Sequence, residues 1–241
     1  DASPTGQPLP NEGSIMSTRT DHLVIVAHTL EQAADWCEAT LGVQPGPGGQ
    51  HALMGTHNRL LSITSEAHPH AYLELIAIDP SAPAPTRARW FGMDDPALQA
   101  AAREAPRLVH VVASTPNVEM LRWGLVNLGL DPGVPVAAER QTPQGKLAWR
   151  IQLRGDGLVD THFALPTLIE WQGRHPSDSM PASALQLSTV QAGGMPARVA
   201  ALLQWRGLQH ADATQPRGRV TRQGPVGDVT LDSWSPALTR Y

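Results

Sequence analysis

The chain has 241 residues, and 18 Lys and Arg against 22 Asp and Glu give a formal net charge of −4. An apolar fraction of 41% can supply a sizeable core and excludes a wholly disordered chain, while 17% charged residues without basic clustering argue against a nucleic-acid partner. No run approaches the ~18 apolar residues of a membrane helix, and the single cysteine, Cys37, excludes an internal disulfide framework or a Cys-rich zinc site.

Residues 1–20 are polar and rich in Pro, Ser and Thr, with no apolar signal core, so a disordered extension is expected there. With no export signal in view and one free cysteine, a cytoplasmic location is expected. The first strand spans His22 to Ala27 (HLVIVA) and a helix follows over Leu30 to Leu41, with Thr29 as N-cap and Gly42 as stop. Short strands are predicted at 51–54 and 58–64, and a longer one at Tyr72 to Ile78 (YLELIAI). Residues 21–79 therefore read as a β-α-β-β-β module. A Pro-rich linker and a helix at 96–104 fill 80–106. A second β-α-β-β-β module occupies 107–175: a strand at 108–113, a helix at 117–128, then strands at 134–140, 146–153 and 167–171. The helix ends of the two modules match, TLGVQPG at 40–46 against NLGLDPG at 127–133, which marks an internal repeat. Residues 176–241 read as a partial third module, a shorter βαββ remnant of the same unit: a strand at 185–190, a helix at 196–204, and a hairpin over 217–232 turning at Gly224-Pro225. The expected fold class is α+β, with repeated modules in one compact two-lobed protein.

Several residues carry a resemblance to a known family: Asp21-His22 opening the first strand, LG after the helix, GGQH at 48–51, GTHN at 55–58, YLEL at 72–75 and LPTLIEW at 165–171. Over residues 21–232 the sequence resembles the glyoxalase-like branch of the vicinal oxygen chelate superfamily. The resemblance implies pairs of βαβββ modules forming curved, cup-like mixed sheets around a divalent metal ion. It places the ligands on the first and last strands of two modules, which here carry His22 and Glu74, then His110 and Glu170. Zn, Ni, Mn and Fe(II) all suit such mixed N and O ligation. The implied chemistry is metal-assisted polarisation of a carbonyl or of adjacent oxygens, as in lyases, isomerases or dioxygenases. The same scaffold also hosts metal-free proteins that only bind a small molecule.

Strand parity is consistent with part of this set. Aligning the strand ends Ala27 and Ala113 sets Val24 against His110, with His22 two residues earlier on the same face. Glu74 and Glu170 interrupt apolar strands, where a carboxylate needs either solvent or a partner. The plainer alternative is that His22 hydrogen-bonds at a strand start and Glu74 faces water. His51, Asn58 and Arg59 form a candidate substrate wall, with His57 as acid or base beside Glu74. The alternative is that 55–58 is a surface turn with Gly and Asn there for backbone reasons. Cys37, on an apolar helix face, reads as an inert buried thiol and Trp171 as packing, while Trp90-Phe91 could form a flap over the cup. Absence of GxxxxGK[ST], GxSxG and HExxH motifs counts against phosphate-loop, serine-hydrolase and zincin chemistry. A small-molecule substrate and a possible homodimer are the expected partners.

Overall fold

A computed structural model describes residues 17–160, 164–212, 216–222 and 227–235. Most of the predicted extension and the tip of the last hairpin lie outside them. The chain enters at β1 (Arg19–Val26), followed by α1 (Leu30–Leu41), β2 (Gln50–His51), β3 (Thr56–Ser62) and β4 (Tyr72–Ile78). After α2 (Pro96–Glu104), the second module runs β5 (Arg107–Ser114), α3 (Val118–Asn127), β6 (Val134–Thr142), β7 (Gly145–Leu153) and β8 (Thr167–Trp171). The third block comprises β9 (Leu185–Ala192), α4 (Ala197–Leu203), β10 (Leu208–His210), β11 (Arg217–Arg222) and β12 (Asp228–Asp232).

The local signals act as expected. The Thr29 side chain accepts the Gln32 N–H and Gly42 closes α1 at φ 71°, a backbone state that glycine adopts without strain. Asn117 caps α3 in the same way, accepting from Met120 N–H. Pro96 occupies the first turn of α2, where a missing N–H costs nothing.

The two modules share one curved eight-stranded sheet in the order β2-β3-β4-β1-β5-β8-β7-β6. Within the first module β1 and β4 pair in parallel; the modules join where β1 meets β5 antiparallel. The curvature brings the two ends of the sheet together: Arg140 on the edge strand β6 reaches Asn58 on β3, next to the other edge. Alternation along β1 divides the core. Leu23 and Ile25 pack outward against Ala33, Cys37 and Leu41 of α1, whereas Val24 and Val26 join an inner cluster with Trp90, Trp149 and Ile169. Burial raises the Cys37 thiol to about 12, in keeping with an inert packing role.

The third block has four strands, but in the order β10-β9-β11-β12, with β9 and β10 parallel neighbours. It repeats the β-α-β-β-β element order of the modules in a separate sheet with its own strand order. Its apolar side, Leu185, Leu187, Val190 and Val220, covers α1 and the outer face of the first module. Helix α4 packs Val199 and Leu203 onto α3. Trp90 and Phe91 are buried in the inner cluster, so they plug the cup instead of hinging over it as a flap. Phe91 holds φ 57°, a costly backbone state for a bulky residue, and the surrounding packing must enforce it.

Candidate active site

The two modules together build a small pocket, with a cavity volume of about 30 Å³, on the inner face of the sheet. Its polar floor consists of His22, His51, Asn58, Glu74 and Arg140; its walls are mostly aromatic, with Tyr72, Trp90, Phe91, Trp149 and Trp171. Glu74 is the centre. Its carboxylate is buried, with Oε2 standing 3.4 Å from His22 Nε2 and Oε1 accepting from Asn58 Nδ2 at 2.7 Å. His51 Nε2 lies 3.8 Å from Oε1 on the same side.

Each partner of Glu74 is itself held. His22 Nδ1 bonds Asp21 Oδ1 at 2.7 Å, and the ring stacks on Tyr72 with centroids 4.7 Å apart. His51 Nδ1 bonds Thr56 Oγ1 at 3.1 Å. Asn58 Oδ1 accepts from Gly49 N–H at 2.8 Å and from Arg140 Nη1 at 3.4 Å, which fixes the amide so that its NH₂ faces Glu74. The glycines of GGQH make this possible. A Cβ on Gly48 would stand 2.0 Å from the Asn58 carbonyl oxygen, and one on Gly49 would stand 2.3 Å from Arg140 Nη1.

Asp21 lies beneath this group, fully buried and accepting three hydrogen bonds. Besides His22, these come from Trp171 Nε1 at 3.0 Å and His175 Nε2 at 3.0 Å. The register of β1 on β5 slips between Thr20 and His22, so Asp21 falls in a bulge and leaves the alternation of the strand. Burial opposes ionisation of Asp21, yet the His175 and His22 hydrogen bonds hold it well below the usual carboxylate range. The same contest decides the other two charges. Burial would lower His22, but hydrogen bonds to Asp21 and Glu74 raise it to about 9. Burial would raise Glu74, but His22, His51 and Asn58 bring it down to about 2. His51 is pushed down to about 4 by burial, despite the Glu74 charge. At neutral pH the site thus holds an imidazolium between two carboxylates, with a neutral imidazole beside it.

Of the residues singled out from sequence, His22, His51, Asn58 and Glu74 meet here. The others do not. His57 and Arg59 alternate to the opposite face of β3, where His57 Nδ1 faces Asp79 at 4.0 Å. His110 lies on the inner side but in the second module. Its Nε2 accepts the Thr167 backbone N–H at 3.0 Å, and burial pushes its pKa down to about 3. Glu170 points away from the cup. Ile169 and Trp171 are the inward residues of β8, and Glu170 instead accepts the Val118 N–H at the start of α3 at 2.8 Å. Asp21, Tyr72, Arg140 and Trp171 are the site residues that sequence reasoning did not pick.

The donor set does not fit the divalent ion that the resemblance implies. Among the described residues, no group of three or more His, Cys, Asp and Glu side chains is arranged to hold a metal ion. The His110 lone pair is taken, Glu170 faces α3, and the Asn58 amide lies against both Glu74 and His51 Nε2, at 2.7 and 3.3 Å. No helix of the described residues is long and apolar enough to cross a membrane.

Comparison with known proteins agrees with this architecture. The model of a family described as glyoxalase-like domain matches residues 20–224. A hypothetical protein from Staphylococcus aureus superposes with a TM-score of 0.57 at 14% identity, covering 90% of this chain and 87% of its own, which shows a shared fold. A Streptomyces coelicolor methylmalonyl-CoA epimerase variant in complex with 2-nitronate-propionyl-CoA is similar at 18% identity over 66% of this chain and 98% of that one, with a TM-score of 0.41. The Mycobacterium tuberculosis methylmalonyl-CoA epimerase follows at 13% identity over 63% and 85%, with a TM-score of 0.37. Both superpositions are too loose to transfer anything from. No curated protein matches the sequence.

Proposed function

The chain belongs to the glyoxalase-like domain family of the vicinal oxygen chelate superfamily, and from that premise we propose that it is a small-molecule enzyme that moves a proton beside a carbonyl, as isomerases and lyases do. One observation carries the reading: a buried carboxylate, Glu74, faces a doubly hydrogen-bonded imidazole, His22, inside an aromatic-walled pocket. Glu74 is the base and His22 the electrophilic group. A substrate carbonyl oxygen that takes the Nε2–H of His22 removes the main partner of Glu74, whose basicity then rises where it is needed. Negative charge forming on that oxygen meets an imidazolium already oriented by Asp21, so little reorganisation accompanies the step. The water-poor aromatic walls strengthen both interactions.

The test uses deuterium. The protein is incubated in D₂O with a panel of 2-oxo acids and hydroxy-aldehydes, and exchange at the carbon next to the carbonyl is followed by proton NMR. Glu74→Gln should slow exchange by roughly 100-fold or more, the usual contribution of a positioned base. Equal exchange by both proteins refutes the assignment, and no exchange with any compound leaves a binding protein on the same fold.

A further inference from the structure

A second cavity, of about 430 Å³, lies at the carboxyl ends of β1 and β4 and shares no lining residue with the cup pocket. β1 and β4 pair in parallel, so both strands end on the same side, where parallel strands commonly present ligands. They contribute Val26, Ala27 and Ile78 to the lining. Another wall is α2, the helix of the segment that joins the two modules, through Gln99, Ala102 and Arg103, with Met93 just before it. Gln32 fixes the spacing of the walls. Its Nε2 donates to the carbonyls of Ala102 and Arg103 at 3.0 and 3.1 Å, tying the first turn of α1 to the last turn of α2. The volume lies within the range of small-molecule sites, roughly 300–1,000 Å³.

The lining states what kind of molecule fits. Val26, Ala27, Leu30, Ile78, Met93 and Ala102 make it mostly apolar. Water held there finds few hydrogen bonds, so an apolar body that displaces it is favoured. The polar groups are largely committed elsewhere. Thr29 Oγ1 accepts the Gln32 N–H, Gln99 Nε2 donates to the Met93 carbonyl at 3.1 Å, and His57 Nδ1 faces Asp79 at 4.0 Å. Hydrogen bonds from its own N–H and from Thr29 hold the Glu31 carboxyl below its ordinary range, so the start of α1 is served by its own acid. Arg103, on the α2 wall, carries the opposite charge, and both side chains are exposed. An ion of either sign would meet one like charge and would shed its hydration against apolar walls. A neutral molecule avoids both costs.

We infer that this cavity is a binding site for an uncharged, largely apolar small molecule of fused-ring size, separate from the cup. Two dyes with the same ring skeleton test it: phenylnaphthylamine is neutral, and anilinonaphthalene sulfonate adds one negative charge. Both brighten in apolar surroundings. The full chain is titrated with each at pH 8, and the neutral dye is expected to bind at least about 10-fold more tightly. Leu30→Trp and Ile78→Trp place bulk on half-buried positions of different walls, and each should weaken the neutral dye by about 10-fold or more. The NMR methyl resonance of Met93 should shift when the neutral dye is added to wild type, which locates the site without any substitution.

Equal affinities, or tighter binding of the sulfonate, overturn the inference, as does failure of the neutral dye to bind. Binding that leaves the Met93 methyl unmoved and survives both tryptophan substitutions overturns it as well. The wild-type titrations and the Met93 shift stand even if neither variant folds. Glu74→Gln should leave dye binding unchanged, so loss of the catalytic reading of the cup does not touch this site.

Discussion

Replacing Asp21 by asparagine keeps the volume and removes one buried charge, and the structure sets the size of the effect. The rise of His22 from 6.5 to about 9 corresponds to about 3 kcal/mol of differential interaction, divided between Asp21 and Glu74. The oxygen of the new amide can still accept from His22 Nδ1. Its NH₂ group then points at Trp171 Nε1–H and the His175 ring, where the Asp21 carboxylate now accepts both bonds at 3.0 Å. A buried indole N–H left without an acceptor costs about 1–3 kcal/mol. The sum is a destabilisation of about 3–5 kcal/mol, the range for breaking one side of a buried ion pair. Urea denaturation at pH 7 measures it, and the imidazole resonances of His22 should titrate well below 9 in the Asp21→Asn variant. A loss under about 1 kcal/mol, with His22 still titrating high, would show that Asp21 is not what holds the imidazolium.

Two further outcomes follow from the same charges and caps. Glu74, lowered to about 2, contributes stability above 4.5 that is lost as pH falls through 2; neutral His51 and His110, lowered to about 4 and 3, contribute above 6.5 and are lost on acidification. His22 has the opposite sign: its contribution is full below 6.5 and vanishes as pH rises through 9. Urea midpoints should therefore peak near pH 6.5 and fall on both sides, and a monotonic climb to pH 9 would contradict the raised His22. Glu170→Ala should cost about 1 kcal/mol by freeing the Val118 N–H at the α3 terminus, with the Glu74-dependent proton exchange unchanged. Lost exchange at intact stability would return Glu170 to the site.

The helices and the repeat were legible because their signals are local. Thr29, Gly42, Asn117 and Gly129 bound α1 and α3 by backbone chemistry that needs no tertiary partner. The pairing of His22 with Glu74 was legible through the resemblance. Three features were not. Asp21 reaches the site only because a bulge breaks the strand alternation, and no sequence period announces a bulge. Arg140 enters through closure of the sheet, which sets β6 against β3 although 82 residues separate Arg140 from Asn58. On β8 the inward residue cannot be chosen from LPTLIEW, since apolar residues occupy both faces: Leu168 packs towards α3 and Ile169 towards the cup. An apolar run buried on both sides carries no parity signal.

Strand register explains why one module holds the charged centre and its repeat does not. In the first module Val24 pairs with Glu74, and His22 lies two residues before Val24. In the second, Val112 pairs with Thr167, and His110 lies two residues before Val112. Thr167 therefore stands to His110 as Glu74 stands to His22, and the contacts agree: His22 Nε2 faces Glu74 Oε2 at 3.4 Å, and His110 Nε2 faces Thr167 Oγ1 at 3.0 Å. A neutral hydroxyl in place of the carboxylate leaves burial as the largest influence on His110, which stays uncharged, whereas two carboxylates make His22 an imidazolium. The second module thus carries the histidine without a carboxylate opposite it. The acid that looks like the missing ligand, Glu170, is three residues further along β8 and belongs to the α3 cap.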